Sequence, residues 1–201
     1  MDWFDSWALS LAVFLPLVGT AIVLAIPREK EALHKLVALV TTAVTLLIGI
    51  GLLVEFDYDA ADKLQFQVDK SWIEVISSRY HVGIDGIALP LLVLTMGITL
   101  LCVVYSWDHF PEPHNPKAFL ALMLVLETGM IGTFVSLDLI LFFIFFELVL
   151  LPMYFMIGVW GGPNRAYASI KFFLFTLFGS ALMLLSFLAL FFKSDPHTFD
   201  I

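Results

Sequence analysis

The sequence predicts an all-α membrane protein with six transmembrane helices, and three observations predict it. Hydrophobic residues make up 61% of the 201 residues and charged residues 14%, against roughly 25% charged in an ordinary globular domain. Mean hydropathy is +0.98, and a soluble fold of this length has too little interior to hide that much apolar surface. The apolar residues also gather in stretches of about 20, the length that crosses a hydrocarbon core as a helix. The 20 Phe exclude disorder, since disordered chains are poor in aromatic residues. The single cysteine, Cys102, excludes an internal disulfide framework and any CxxC metal or redox site. A net charge of −8 argues against nucleic acid as a partner, because phosphate binding needs a basic surface.

Taken in order, spans 7–26 and 36–54 place two helices in residues 1–54, and a loop follows over 55–85. Span 86–107 is the third helix. Spans 118–137, 139–158 and 172–192 make residues 118–192 the region of helices four to six, the last expected to begin nearer Ala166. Lipid offers the backbone no hydrogen-bond partner, so each span must be a helix. The ten-residue alternating segments of a membrane barrel do not occur in the sequence. The opening residues MDWFDSW carry no basic region, so the first span is expected to stay as a membrane helix. Within the loop, Leu64, Phe66 and Val68 alternate with Gln65 and Gln67, which predicts a β-hairpin on the membrane surface. Residues 72–76 fit a strand or a short interfacial helix equally.

Lysine and arginine set the orientation. Six of the ten basic residues, Arg28, Lys30, Lys35, Lys117, Arg165 and Lys171, lie in or beside the short turns after spans one, three and five. Lys63, Lys70, Arg79 and Lys193 lie on the opposite side, mostly in the long loop, where the rule is weakest. The basic turns are therefore expected in the cytoplasm and both ends of the sequence outside.

Two glutamates stand in the middle of apolar spans. Glu127 is the tenth residue of span 118–137, and Glu147 is the ninth of span 139–158. The turn between these spans is too short to separate them, so both carboxyls fall near the midplane, where a charge costs on the order of 3 kcal/mol. One reading is a protonated glutamate that hydrogen-bonds a neighbouring helix. The sharper one is a proton site, with the two acids titrating as a coupled pair. Lys171 is either a lysine snorkelling to the interface or an inward-facing member of a charged chain. Pro152 removes a backbone donor five residues after Glu147, which predicts a bend with room for water. Asp138 is an N-cap of the fifth helix or an outer proton entry. The Asp108, His109, Glu112 and His114 group lies in a turn broken by three prolines and lacks helical ligand spacing, so no metal site is predicted. His34, His81 and His197 lie at span ends or in loops, so no helix offers a haem ligand at depth. Cys102 is expected to pack.

These residues follow one family's order. His81 to Ile87, then Glu127 through Asp138, then Phe145-Phe146-Glu147-Leu148, Pro152-Met153-Tyr154-Phe155, Trp160-Gly161-Gly162 and Ile170-Lys171-Phe172-Phe173 resemble the M-type antiporter-like membrane subunits of bacterial respiratory complex I. The resemblance covers nearly the whole chain and is most specific from Glu147 to Gly162. It implies a fold of about fourteen helices built on two inverted repeats, of which this sequence holds six and is expected to be a segment. It implies that Glu147 is a half-channel glutamate that pairs with a lysine on a later helix. Lys171 would be the sixth-helix lysine near that channel, with Glu127 and Asp138 at positions less firmly tied to transfer.

The implied function is proton translocation within an NADH:quinone oxidoreductase of the bacterial cell membrane. No cofactor is expected in this chain. FMN, iron–sulfur clusters and quinone would belong to partner subunits, and the partners would be other complex I membrane subunits, antiporter-like neighbours among them, and lipids. A subunit of a multisubunit Na⁺/H⁺ antiporter is the alternative. A purely structural subunit is a third, and a scaffold has no use for buried acids.

Overall fold

A computed structural model describes residues 3–195 and 197–200. The long helices are α1 Trp3–Ala25, α2 Glu31–Glu55, α3 Ala88–Tyr105, α4 Pro116–Val135, α5 Leu139–Trp160 and α6 Arg165–Lys193. All six are long and apolar enough to cross a membrane, and the chain is a multi-pass membrane protein. Their outward faces are hydrocarbon: Leu47 is 64% exposed, Leu101 67% and Phe175 82%. Local chemistry sets the ends. Pro27 follows α1 and denies it a further donor. Pro116 opens α4, where Asn115 Oδ1 accepts from the Ala118 N–H at 3.3 Å. Gly161 closes α5, its N–H donating to Ile157 O at 2.9 Å. Pro152 is buried within α5, and the helix continues through it.

Helix α4 sits at the centre, packed on α1, α2, α3 and α5, while α6 lies along α5. Lipid tails are as apolar as leucine, so such helices associate by close packing rather than by hiding apolar surface from water. Glycine permits the closest approaches. A Cβ added at Gly132 of α4 would fall on the Phe145 ring of α5, and one at Gly129 would lie 2.7 Å from Val149 Cγ2. Thr42 and Thr45 satisfy themselves locally, Thr42 Oγ1 donating to Ala38 O at 3.0 Å and Thr45 Oγ1 to Thr41 O at 2.9 Å.

The segment between α2 and α3 folds as an antiparallel hairpin of β1 Gln65–Ile73 and β2 Ser78–Ile84. The helical fold thus carries a two-stranded sheet. Phe66 and Val68 turn inward while Gln67 is exposed, and Lys70 stands opposite Tyr80. Residues 72–76 divide between the two forms considered for them. Trp72 and Ile73 end β1, and Glu74–Ile76 is a 3-10 turn closed by Ser77 at φ 55°. The hairpin covers one end of the bundle, where Leu9, Phe56, Val82, Ile84, Ile131 and Phe145 share one apolar cluster.

The basic turns gather at the other end. Lys117 Nζ donates to Leu24 O and Ile26 O at 2.8 and 2.7 Å, a cation on the carbonyl end of α1. Lys35 Nζ donates to Trp107 O at 2.7 Å and pairs with Glu31 at 2.7 Å. His114 reaches the same Glu31 at 3.0 Å, and His109 stacks on Tyr105. Cys102, expected to pack, is instead exposed, because α3 borders α2 and α4 and turns its remaining face outward.

Candidate functional site

Glu127 lies eight residues from the hairpin end of α4, and Glu147 eight from the hairpin end of α5. At 1.5 Å per residue both stand about 12 Å below that end, at one depth. Glu127 is wholly buried, and Glu147 is half-buried. Among the described residues, both carboxyl oxygens of Glu127, Oε1 of Glu147 and the Thr128 hydroxyl are buried without a hydrogen-bond partner. Buried polar groups are ordinarily paired, with protein or with water. Four unpaired oxygens at mid-membrane therefore mark a place where the fold holds polar atoms and leaves their partners to be supplied.

Lys171 is not brought to these acids. It is six residues from the turn end of α6, about 9 Å in, whereas Glu147 is thirteen residues from the turn end of α5, about 20 Å in. Its side chain is exposed rather than buried, and Nζ lies 5.7 Å from the centre of the Tyr167 ring. The reason is packing. Helix α6 lies on α5 and buries only Ser169 and Ser180, so among the described residues its other faces have no neighbour to enclose a lysine.

Asp138 is an N-cap and more. Its Oδ1 accepts from the N–H groups of Ile140 and Leu141, both at 2.9 Å, and from Ser78 Oγ at 3.0 Å. Its Oδ2 accepts from the Arg79 N–H at 3.0 Å. One buried carboxylate thereby ties the first turn of α5 to the start of β2. Ser78 and Arg79 escape sequence reasoning because the contact spans about sixty residues with no local pattern to announce it. The main chain beside Asp138 is held as well: Leu137 N donates to His81 O of β2, and Leu139 N to Phe199 O after α6, both at 2.9 Å. His81 Nδ1 lies 2.5 Å from Asp200 Oδ1.

The phenylalanine run of α5 serves several neighbours. Phe145 is buried against α4, Phe142 packs on Phe146 and on Phe187 of α6, and Ile144 is 41% exposed.

Residues 136–200, from the turn before α5 to the segment after α6, match the family described as NADH:quinone oxidoreductase/Mrp antiporter, transmembrane. NADH-quinone oxidoreductase subunit M of Rickettsia prowazekii is 39% identical over 196 residues, covering 96% of this chain and 39% of that protein. The chain thus spans about two fifths of the length of such relatives. Respiratory complex I from Thermus thermophilus contains a chain of the same fold, with a TM-score of 0.80 and 25% identity, over 96% of this chain and 38% of that one. A chain of the Mrp complex from Dietzia sp. matches at a TM-score of 0.76 over 94% of this chain and 20% of that one; at 18% identity it speaks for the fold alone. The chain is thus similar by sequence to subunit M of NADH-quinone oxidoreductases over about two fifths of their length, and by fold to a chain of respiratory complex I.

Proposed function

We propose that this chain is part of a proton-translocating subunit of an NADH:quinone oxidoreductase, with Glu147 as the group that loads and unloads the proton. The observation that supports this reading is the pair of glutamates at one depth whose buried oxygens have no protein partner. Such an oxygen is satisfied by a proton of its own or by water, and both are parts of a proton path. Glu127, wholly buried at the same depth, is the second station. Lys171 supplies a positive charge nearer the turn end, and the exposed face of α6 is where later helices would enclose it.

The rest follows from that assignment. NADH oxidation and quinone reduction, with their FMN and iron–sulfur clusters, belong to partner subunits, and this chain contributes no redox centre. Its neighbours are other membrane subunits of the assembly. The membrane is the bacterial cell membrane, with the basic turns in the cytoplasm.

The test is NADH-driven acidification and quinone reduction in membrane vesicles. Glu147→Gln should assemble normally yet weaken pumping and the coupled electron transfer. Glu147→Asp should retain part of both, because it keeps the acid and shortens its reach. Full pumping by the Gln variant would reduce Glu147 to a packing residue.

A further inference from the structure

A cavity of about 500 Å³ opens at the hairpin end between α1 and the β1–β2 hairpin, away from the glutamates. Trp7, Ser10 and Phe14 line one wall, at the spacing that puts three residues on one helix face. Lys70 and Trp72 of β1 and Tyr80 of β2 form the other. From Trp7 to Phe14 the wall descends seven residues, about 10 Å along the helix.

The lining changes character over that descent. At the mouth, Lys70 Nζ lies 4.9 Å from the centre of the Trp7 ring, and Trp7 and Trp72 are each 47% exposed. Arg79, on the neighbouring strand, is engaged by Asp69 at 2.6 Å. Among the described residues no carboxylate pairs with Lys70. Halfway down, the Tyr80 hydroxyl and Ser10 Oγ hydrogen-bond each other at 2.9 Å. The floor is apolar, made by Phe14 with the buried Val68 and Leu141. Tryptophan and tyrosine favour the membrane–water boundary, so the mouth stands at headgroup level and the floor at the upper acyl chain.

We propose that this cavity seats one anionic phospholipid, its phosphate on Lys70 and an acyl chain between α1 and the hairpin along Phe14. A free phosphate would gain nothing from the apolar floor. An extended polypeptide would have to bury backbone donors and acceptors against walls that offer few polar partners.

The test uses the full-length protein in its native assembly, reconstituted in phosphatidylcholine vesicles with a minor fraction of phosphatidylglycerol bearing a photoreactive acyl chain. Adducts are mapped by mass spectrometry. Adducts are expected at the floor, on the Phe14 region of α1 and at Val68 and Leu141. Lys70→Gln should reduce them about fivefold, the effect of one basic residue at an anionic surface, and Lys70→Arg should keep them. Ser10→Leu should remove them with Lys70 in place, because it fills the slot, while hydrogen exchange of the hairpin amides checks that the fold persists. Equal labelling of wild type and Lys70→Gln would overturn the proposal. So would competition by inorganic phosphate alone, or a photoreactive residue at position 72 that captures a neighbouring polypeptide in place of lipid.

Discussion

Replacing Asp138 separates its role as a clamp from a role in proton entry. Its carboxylate accepts four hydrogen bonds, two from the first turn of α5 and two from the start of β2. A hydrogen bond to a charged group contributes about 1.5–3 kcal/mol, and four that share one acceptor do not add in full. Asp138→Ala should therefore destabilise the protein on the order of 4 kcal/mol. Asp138→Asn keeps one oxygen for Ile140, Leu141 and Ser78, but turns an N–H₂ donor toward the Arg79 N–H, and should lose about 2 kcal/mol. Hydrogen exchange read at the amides of Arg79, Ile140 and Leu141 is the direct assay, with trypsin cleavage at Lys70 and Arg79 as a second. In the Asn variant the Arg79 amide should lose protection more than the Ile140 and Leu141 amides, and in Ala all three should. If both variants keep wild-type protection while NADH-driven acidification falls, the clamp is wrong and Asp138 is a proton entry.

Other substitutions test the packing and the orientation. Gly132→Ala drives a methyl onto the Phe145 ring and should lower stability by about 1–3 kcal/mol, measured as thermal unfolding in detergent; an unchanged midpoint would show that α4 and α5 can separate freely. Cysteines placed at Arg28 and Asp62 should behave oppositely toward an impermeant thiol reagent in intact cells, with labelling at 62 alone; labelling at 28 alone would invert the topology. Burial between α1 and the hairpin holds the Tyr80 hydroxyl above the usual phenol range, against a smaller opposite pull from Ser10. A raised pKa stabilises the fold below the unfolded-state value of about 10 and loses that contribution as pH climbs through the folded one. The hairpin should thus loosen from α1 above about pH 10, seen as faster exchange of its amides, and Tyr80→Phe should abolish that dependence.

The spans were legible because lipid leaves an apolar stretch of twenty residues one conformation, and the structure starts α6 at Arg165, next to the expected Ala166. The alternation from Leu64 to Val68 likewise carries its strand. What escaped is what depends on partners distant in sequence. Nothing near Ser78 signals that its hydroxyl meets Asp138, and nothing near Cys102 says which face of α3 lacks a neighbour. Glu127 and Glu147 were legible as buried acids from depth alone, since the turn at 136–138 admits only one antiparallel arrangement. Lys171 was not, because an exposed lysine and an enclosed one have the same local sequence, and what lies around α6 decides between them.

The main-chain bond from Leu139 to Phe199 also has a mechanical side. It pins the segment after α6 to the start of α5, while the turn at 161–164 and the Tyr154–Phe173 ring contact, 5.4 Å between centroids, tie the other end of α6 to the same helix. Lys171 lies 22 residues from Lys193, about 33 Å along a helix held at both ends. A charge on a rod fastened at both ends keeps its depth, so its surroundings change only through what packs beside α6.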